Sequence, residues 1–199
     1  MIYYLCHMDS SQYEADITAC IKTLQTGGLI LYPTDTVWGI GCDAENEVAV
    51  RKIIRIKNRP DTKSFVVLSQ SQSTVREIAD PISQLMLAFK NNALRPVTFV
   101  LSNARKVAPS VINEDGTIAV RIPSDDFCSN LLKKFGGPIV STSANISGQP
   151  TPSFFQEVNG KIRQEVDYIV RYRQDDMTPR QGSIIIKESP KGQILILRS

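Results

Sequence analysis

Histidine is nearly missing from this sequence: His7 is the single one among 199 residues, and it lies near the start outside any motif. General-base chemistry by an imidazole near neutral pH is therefore disfavoured, and a multi-histidine metal site is excluded. Cysteine is also sparse. Cys6, Cys20, Cys42 and Cys128 are scattered with no paired C-x-x-C spacing, which argues against a zinc site or a disulfide framework and reads all four as reduced, mostly packing thiols. No apolar run approaches the length of a membrane helix, and the amino terminus lacks a basic start followed by an apolar stretch. The expectation is a cytoplasmic protein with no membrane partner. A phosphate-binding loop of the form G-x-x-x-x-G-K-[ST] is absent as well, so any nucleotide must be held differently. Asp35, Asp43, Asp125 and Asp126 do not cluster in a way that suits two metal ions; no metal site is predicted, and any Mg2+ is expected to arrive with a nucleotide and keep most of its waters.

What remains is an ordinary composition with a net charge of +3 and a pI near 8.7. That is mildly basic, below the usual level of a dedicated duplex-binding protein, and compatible with an anionic substrate. The length suits one sizeable domain with a real core. Ser11 to Glu14 has capping-box form, and Tyr13, Ile17, Cys20, Ile21 and Leu24 recur at helical spacing up to Gly27 and Gly28. Leu29 to Tyr32 reads as a buried strand closed by Pro33. A turn rich in hydroxyls and glycines follows, and then a helix capped by Asn46 that carries Arg51, Lys52 and Arg55 between its apolar positions.

Further strands are expected at Phe65 to Ser69, Val97 to Leu101, Ile118 to Ile122 and from Ile139 with Val140, with short runs at Tyr168 to Val170, Ser183 to Ile186 and Ile194 to Leu197. Helices are expected at Ser73 to Ala79 and Ile82 to Lys90, from a Ser124 cap to about Phe135, and after a Thr151 cap with Pro152 at the first helical position. Strands and helices interleave without internal repeats or low-complexity linkers. This predicts one α/β domain over residues 1–199 with a mixed sheet, because several connections are too short for helical crossovers.

Four places can carry chemistry. Gly39, Gly41 and Ala44 fit the spacing of a dinucleotide fingerprint, but six residues separate them from the strand end at Tyr32, which argues against that reading. Pro33, Thr34, Asp35 and Thr36 sit at a strand end, where α/β sheets commonly bind ligands; the alternative is an ordinary capped turn. Lys57, Arg59 and Lys63 cluster at a helix end, where they either hold phosphates by charge-assisted hydrogen bonds or complement the helix dipole. Ser141, Ser143 and Asn145 alternate along an extended segment and can read a phosphate and a sugar together, unless they only satisfy their own turn.

These residues resemble a known family. Tyr32 to Gly41 looks like the P-T-E-T-V-Y-G-L-G motif of the YrdC-like threonylcarbamoyl-AMP synthases. Lys57-Asn58-Arg59-Pro60 resembles their K-x-R-P, Val120-Arg121-Ile122-Pro123 their V-R-x-P, and Ser143-Ala144-Asn145-Ile146-Ser147-Gly148 their S-A-N-x-S-G. Four motifs in the family order span most of the chain. Ser183-Ile184-Ile185 and Leu197-Arg198 resemble two further segments near the end. The chain departs from the family at Ala93-Leu94-Arg95-Pro96, where W-P-G-P is common. Leu68 stands where some branches carry a histidine, and Lys63 suits the bacterial short, single-domain form.

The resemblance implies a twisted, open sheet flanked by helices with a concave basic face. It also implies a nucleotidyltransferase that makes threonylcarbamoyl-AMP and pyrophosphate from L-threonine, bicarbonate and ATP. Other proteins then pass the group to tRNA. On the same basis Thr34, Arg121, Ser141 and Ser183 belong to the threonine end. Lys57, Arg59, Lys63, Thr98, Ser143, Asn145, Thr151 and Arg198 belong to the ATP end, with Lys57 and Arg59 catalytic; the glycines at 39 and 41 are expected to let backbone pass close to substrate. Such chemistry needs positioning and cations rather than an acid–base pair. Two rivals stand beside it: a non-catalytic double-stranded RNA-binding module using the same basic face, and a carbamoyl transfer starting from carbamoyl phosphate. Weak RNA binding is also compatible with the enzyme reading.

Overall fold

A computed structural model describes residues 13–58 and 64–199. His7, Cys6, the Ser11 cap, Arg59 and Lys63 therefore lie outside the described residues. Nine strands form one open mixed sheet: β1 (Ile30–Tyr32), β2 (Gly39–Asp43), β3 (Val66–Leu68), β4 (Val97–Leu101), β5 (Ile118–Arg121), β6 (Ile139–Ser143), β7 (Tyr168–Ile169), β8 (Ile184–Glu188) and β9 (Ile194–Arg198). Their order is β7-β1-β2-β6-β3-β5-β4-β8-β9. Six helices accompany them: α1 (Glu14–Gln25), α2 (Glu47–Lys57), α3 (Gln72–Ile78), α4 (Gln84–Asn92), α5 (Asp126–Phe135) and α6 (Gly160–Glu165).

Local chemistry explains most boundaries. Asn46 accepts from the Ala49 amide at 3.1 Å and starts α2, while Asn58 stops it in the left-handed region at φ 46°. Ser71 and Thr74 form a reciprocal capping box at α3, and Ser83 caps α4. Two expected caps move. Asp125, one residue beyond Ser124, accepts from the Cys128 amide at 3.0 Å and caps α5. No α-helix begins at Thr151 and Pro152; a single 3-10 turn (Phe155–Glu157) follows, and Asn159 caps α6. The Ser153 amide there donates to the Glu157 carboxylate at 2.6 Å.

The expected glycine-rich turn is a strand. Gly39–Asp43 pairs antiparallel with β1 on one side and β6 on the other. Only the six residues 33–38 turn. This also disposes of the dinucleotide fingerprint, whose glycines must lie in a strand-to-helix turn. The glycines serve packing in the sheet: a Cβ on Gly41 would meet Tyr32 Cε1 at 2.7 Å and the Val140 carbonyl oxygen at 2.9 Å.

Alternation divides the sheet into two chemically different faces. Ile40, Cys42, Val67, Phe99, Val120, Val140 and Ile186 are fully buried and join Ile17, Leu24, Val50, Ile53, Val75, Phe127, Leu131 and Ile162 of the helices in one core. Cross-strand register places Gly39, Ser143, Ser141, Val66, Ala119, Arg121 and Ile185 on the other face. Small or polar side chains there leave space above the sheet. Cys20, Cys42 and Cys128 are buried and free, and burial pushes each thiol up, away from the reactive thiolate. No helix of the described residues is long and apolar enough to cross a membrane.

The Gly41 contact predicts a stability effect. Gly41→Ala is expected to lower the urea unfolding midpoint, with a loss of about 1–3 kcal/mol from overpacking against atoms that cannot move aside. A wild-type midpoint at unchanged slope would show that the strand tolerates a side chain there.

Candidate active site

The polar face of the sheet floors a cavity of about 770 Å³, lined from β2, β3, β5, β6, β8 and β9, by the 33–38 turn and by the loops at 64, 95, 151 and 180–182. Its lining includes Thr34, Thr36, Gly39, Ser64, Ser141, Thr142, Ser143, Thr151, Gln181 and Ser183, together with the guanidinium-bearing Arg95, Arg121, Arg180 and Arg198. Among the described residues no aspartate or glutamate side chain lines it. No group of three or more His, Cys, Asp or Glu suited to a metal ion occurs among them either.

The 33–38 turn is built by its own hydroxyls. Thr34 Oγ1 donates to the Val37 carbonyl at 2.8 Å and accepts from the Thr36 amide at 3.0 Å, so the Thr36 hydroxyl at 2.8 Å must donate to it. One donor and two lone pairs are thereby committed. Thr34 is 2% exposed; it shapes the cavity wall while its hydroxyl holds the turn. Beside it, Arg121 Nη2 lies 3.2 Å from the Asp35 carboxylate, and both side chains are 5% exposed. The Arg121 Nε is buried with no hydrogen-bond partner among the described residues, a state that an anion in the cavity can relieve.

Three expected residues stand behind the wall. Lys57 is 1% exposed, and its ammonium donates to the Ser143 carbonyl and, at 2.5 Å, to the Asn145 carbonyl. Asn145 donates to the Gln149 carbonyl at 2.7 Å, closing the turn after β6. Thr98 is fully buried and meets Ser183 Oγ at 2.7 Å. Ser183 in turn accepts from Arg198 through its carbonyl at 2.9 and 3.1 Å and its hydroxyl at 3.1 Å. Thr98 thus reaches the cavity through Ser183.

Arg198 stacks against bare backbone: a Cβ on Gly182 would meet its Nη2 at 3.3 Å. Partial desolvation first, then the neighbouring charges of Arg121 and Arg95, lower the Arg198 pKa. Guanidiniums crowded enough to perturb one another favour an anionic occupant. Sequence reasoning missed Arg95 and Arg180. Arg95 falls in the segment that departs from the family pattern, and Arg180 follows a stretch with neither periodicity nor motif.

That stretch, 171–182, is tied down by carboxylates. Asp16 of α1 accepts from the Arg171 amide at 3.1 Å, the Tyr172 amide at 2.9 Å and the Tyr168 hydroxyl at 2.6 Å. Asp176 accepts from the Thr178 amide at 2.9 Å and lies 3.2 Å from both Arg173 Nε and Arg180 Nη2. The hydrogen bonds of Thr178, with Arg180 and Arg173 beside them, hold the Asp176 carboxyl well below the usual carboxylate range.

An open α/β sheet with hydroxyls and arginines converging on a cavity of about 770 Å³ has the form of a small-molecule site whose lining suits an anion. A family model described as Sua5/YciO/YrdC, telomere recombination, matches residues 22–199. The chain belongs to this family. It is 34% identical to the threonylcarbamoyl-AMP synthase of Stenotrophomonas maltophilia over 163 residues, covering 79% of this chain and 86% of the relative. To that of Saccharophagus degradans it is 38% identical over 136 residues, 66% of this chain and 70% of the relative. Among solved structures, E. coli YciO matches with a TM-score of 0.79 at 25% identity over 93% of this chain and 89% of that one. P. abyssi Sua5 complexed with L-threonine matches with a TM-score of 0.79 at 26% identity over 93% of this chain. The present chain spans about half of that longer protein, 54% of its length.

The depressed Asp176 pKa fixes the sign of a pH effect. Its stabilising contribution is present above the ordinary unfolded aspartate pKa of about 3.9 and is lost as pH falls through the lower folded value. Asp176→Asn is therefore expected to melt below wild type at pH 7, with the gap narrowing only once pH falls below about 3.9 and closing as pH passes on through the lower folded value. A gap that stays constant across that range would show that the carboxylate is not held by these donors.

Proposed function

We propose that this enzyme is an L-threonylcarbamoyladenylate synthase, a nucleotidyltransferase that joins L-threonine, bicarbonate and ATP into threonylcarbamoyl-AMP with release of pyrophosphate. The observation that carries this reading is the cavity of about 770 Å³ walled by four arginines and many hydroxyls. Its volume suits a nucleotide with a small acid, whereas a duplex backbone calls for a broad basic surface. The synthase relatives and the threonine-bound Sua5 support the same assignment.

The chemistry follows from the side chains. A threonine carbamate oxygen attacks the α-phosphorus, the bond to the bridging oxygen breaks, and the electron pair leaves with pyrophosphate. Negative charge accumulates on phosphate oxygens throughout, so fixed guanidiniums and amides are the effective catalysts. We assign Arg121, Ser141 and Ser183, with the Thr34 turn, to the amino-acid end. Arg198, Ser143 and Thr151 go to the nucleotide, joined by Arg59 and Lys63 from outside the described residues. Lys57, Asn145 and Thr98 act through the wall, as positioning residues. Mg2+ enters with ATP and supplies charge neutralisation on the phosphates. We place the reaction in the cytoplasm, with other proteins passing the threonylcarbamoyl group to tRNA.

Purified protein given ATP, L-threonine and bicarbonate is expected to release pyrophosphate well above an ATP-only control; no threonine-dependent release would sink the proposal. Lys57→Ala and Arg59→Ala are each expected to lower kcat/KM for ATP at least tenfold, about 1.4 kcal/mol of barrier. Lys57→Ala should also lower the melting temperature, because it strands two buried carbonyls. Wild-type kinetics in both variants would refute their assignment.

A further inference from the structure

The strap formed by residues 171–182 reaches the cavity wall at residues 180–182 and carries a charge pattern that the assignments above leave unused. Its start is fixed by the Asp16 carboxylate. Midway, Arg173 adopts the left-handed region at φ 64° and donates to the Thr34 carbonyl at 3.3 Å. Near its end, Gln181 accepts from Arg95 Nη1 at 2.7 Å. Arg180 lies between these anchors and lines both the main cavity and a small cleft shared with Thr34 and Asp176. Asp176 orients one edge of its guanidinium, while its Nε is buried without a hydrogen-bond partner among the described residues.

Charge counting shows why this matters. Arg121 and Asp35 form a pair whose charges sum to zero. Arg173, Arg180 and Asp176 form a trio of two cations and one anion, which sums to +1. L-Threonine is a zwitterion of no net charge, but once its ammonium gives up a proton to solvent the free amine can attack bicarbonate; an N–C bond forms, a C–O bond breaks, water leaves, and the resulting carbamate gives the molecule two negative groups. A neutral Arg121 pair suits the carboxylate of the zwitterion. The second anion needs a cation with net charge to offer, and the trio beside the Thr34 turn supplies it.

We propose that Arg180 binds the bicarbonate-derived carboxylate of the N-carbamoylated amino acid, with Asp176 as its positioning residue. This rests on the threonylcarbamoyl-AMP synthase reading and extends it to the second substrate. A guanidinium presents two parallel donors to a planar carboxylate, and lysine reproduces the charge without that fork. The strap thereby makes the amino-acid end selective for the carbamate over free threonine.

The test is steady-state pyrophosphate release by the full chain with each substrate varied in turn, for wild type, Arg180→Gln, Arg180→Lys and Asp176→Asn, with melting temperatures measured alongside. Arg180→Gln is expected to raise the apparent KM for bicarbonate at least tenfold while the KM for ATP stays within twofold. Arg180→Lys should recover part of the loss, and Asp176→Asn should shift the same KM by a smaller factor. A bicarbonate KM within twofold of wild type in Arg180→Gln overturns the proposal. So does a rise confined to the KM for ATP, which would make Arg180 a phosphate ligand. Absence of threonine-dependent release in wild type overturns the underlying reading instead, and is seen before any variant is made.

Discussion

One buried ammonium holds the site in register. Lys57 closes α2, donates to the carbonyls of Ser143 and Asn145, and accepts from the Ser147 amide through its own carbonyl at 2.8 Å. The helix end and the segment leaving β6 are thus joined by both side chain and main chain. A buried cation without oxygen partners would be strongly disfavoured, and so would the carbonyls without donors, so neither half of the contact is stable alone. Because β6 lies centrally, between β2 and β3, whatever fixes its end also fixes where Ser141 and Ser143 stand on the cavity floor. Lysine serves here where arginine would not: a compact ammonium on a flexible stem reaches converging carbonyls that a planar fork would overrun.

The second constraint is the unequal filling of the two sheet faces. Helices cover the face that carries Ile40, Val67, Val120 and Val140, and that burial supplies the cohesion of the fold. On the other face, β2 offers glycine and β6 offers serine at facing positions, Gly39 opposite Ser143 and Gly41 opposite Ser141. A larger residue there would fill the cavity or strike the neighbouring strand, as the Gly41 contacts with Tyr32 and Val140 show. The same sheet therefore packs a core on one side and floors a polar cavity on the other, and the choice is written in alternate residues.

Much of this was legible in the sequence, for reasons specific to each segment. Helix α2 declared itself because its Asn46 cap and its apolar spacing agree. Buried strands such as β4 and β5 showed as short apolar runs. Strand β2 was hidden, since two glycines in five residues read as a turn when the cross-strand neighbours that require them are unknown. The serine and arginine motifs pointed to residues that the fold brings to one cavity, Arg121, Ser141 and Ser143 among them. They could not reveal that Lys57, Asn145 and Thr98 sit one layer back, because the same hydrogen-bonding groups serve ligand or backbone alike. Arg95 and Arg180 carried no local signal at all; only the fold brings them to the cavity, from segments that read as loop.

That late arrival of charge explains how a chain of modest net charge comes to line one cavity with several arginines. Four arginines reach one cavity from four separate segments, and none is adjacent to another in sequence. Two of them are moderated by carboxylates that stay out of the cavity lining, Asp35 on Arg121 and Asp176 on Arg180. Without those partners the guanidiniums would repel one another in a partly desolvated space; burial first, and then the charges of Arg121 and Arg95, already lower the pKa of Arg198. With full neutralisation they would lose their hold on phosphate and carboxylate. Partial pairing limits repulsion among the guanidiniums while leaving unmatched positive charge at the cavity, which is the balance that the proposed anionic substrates would require.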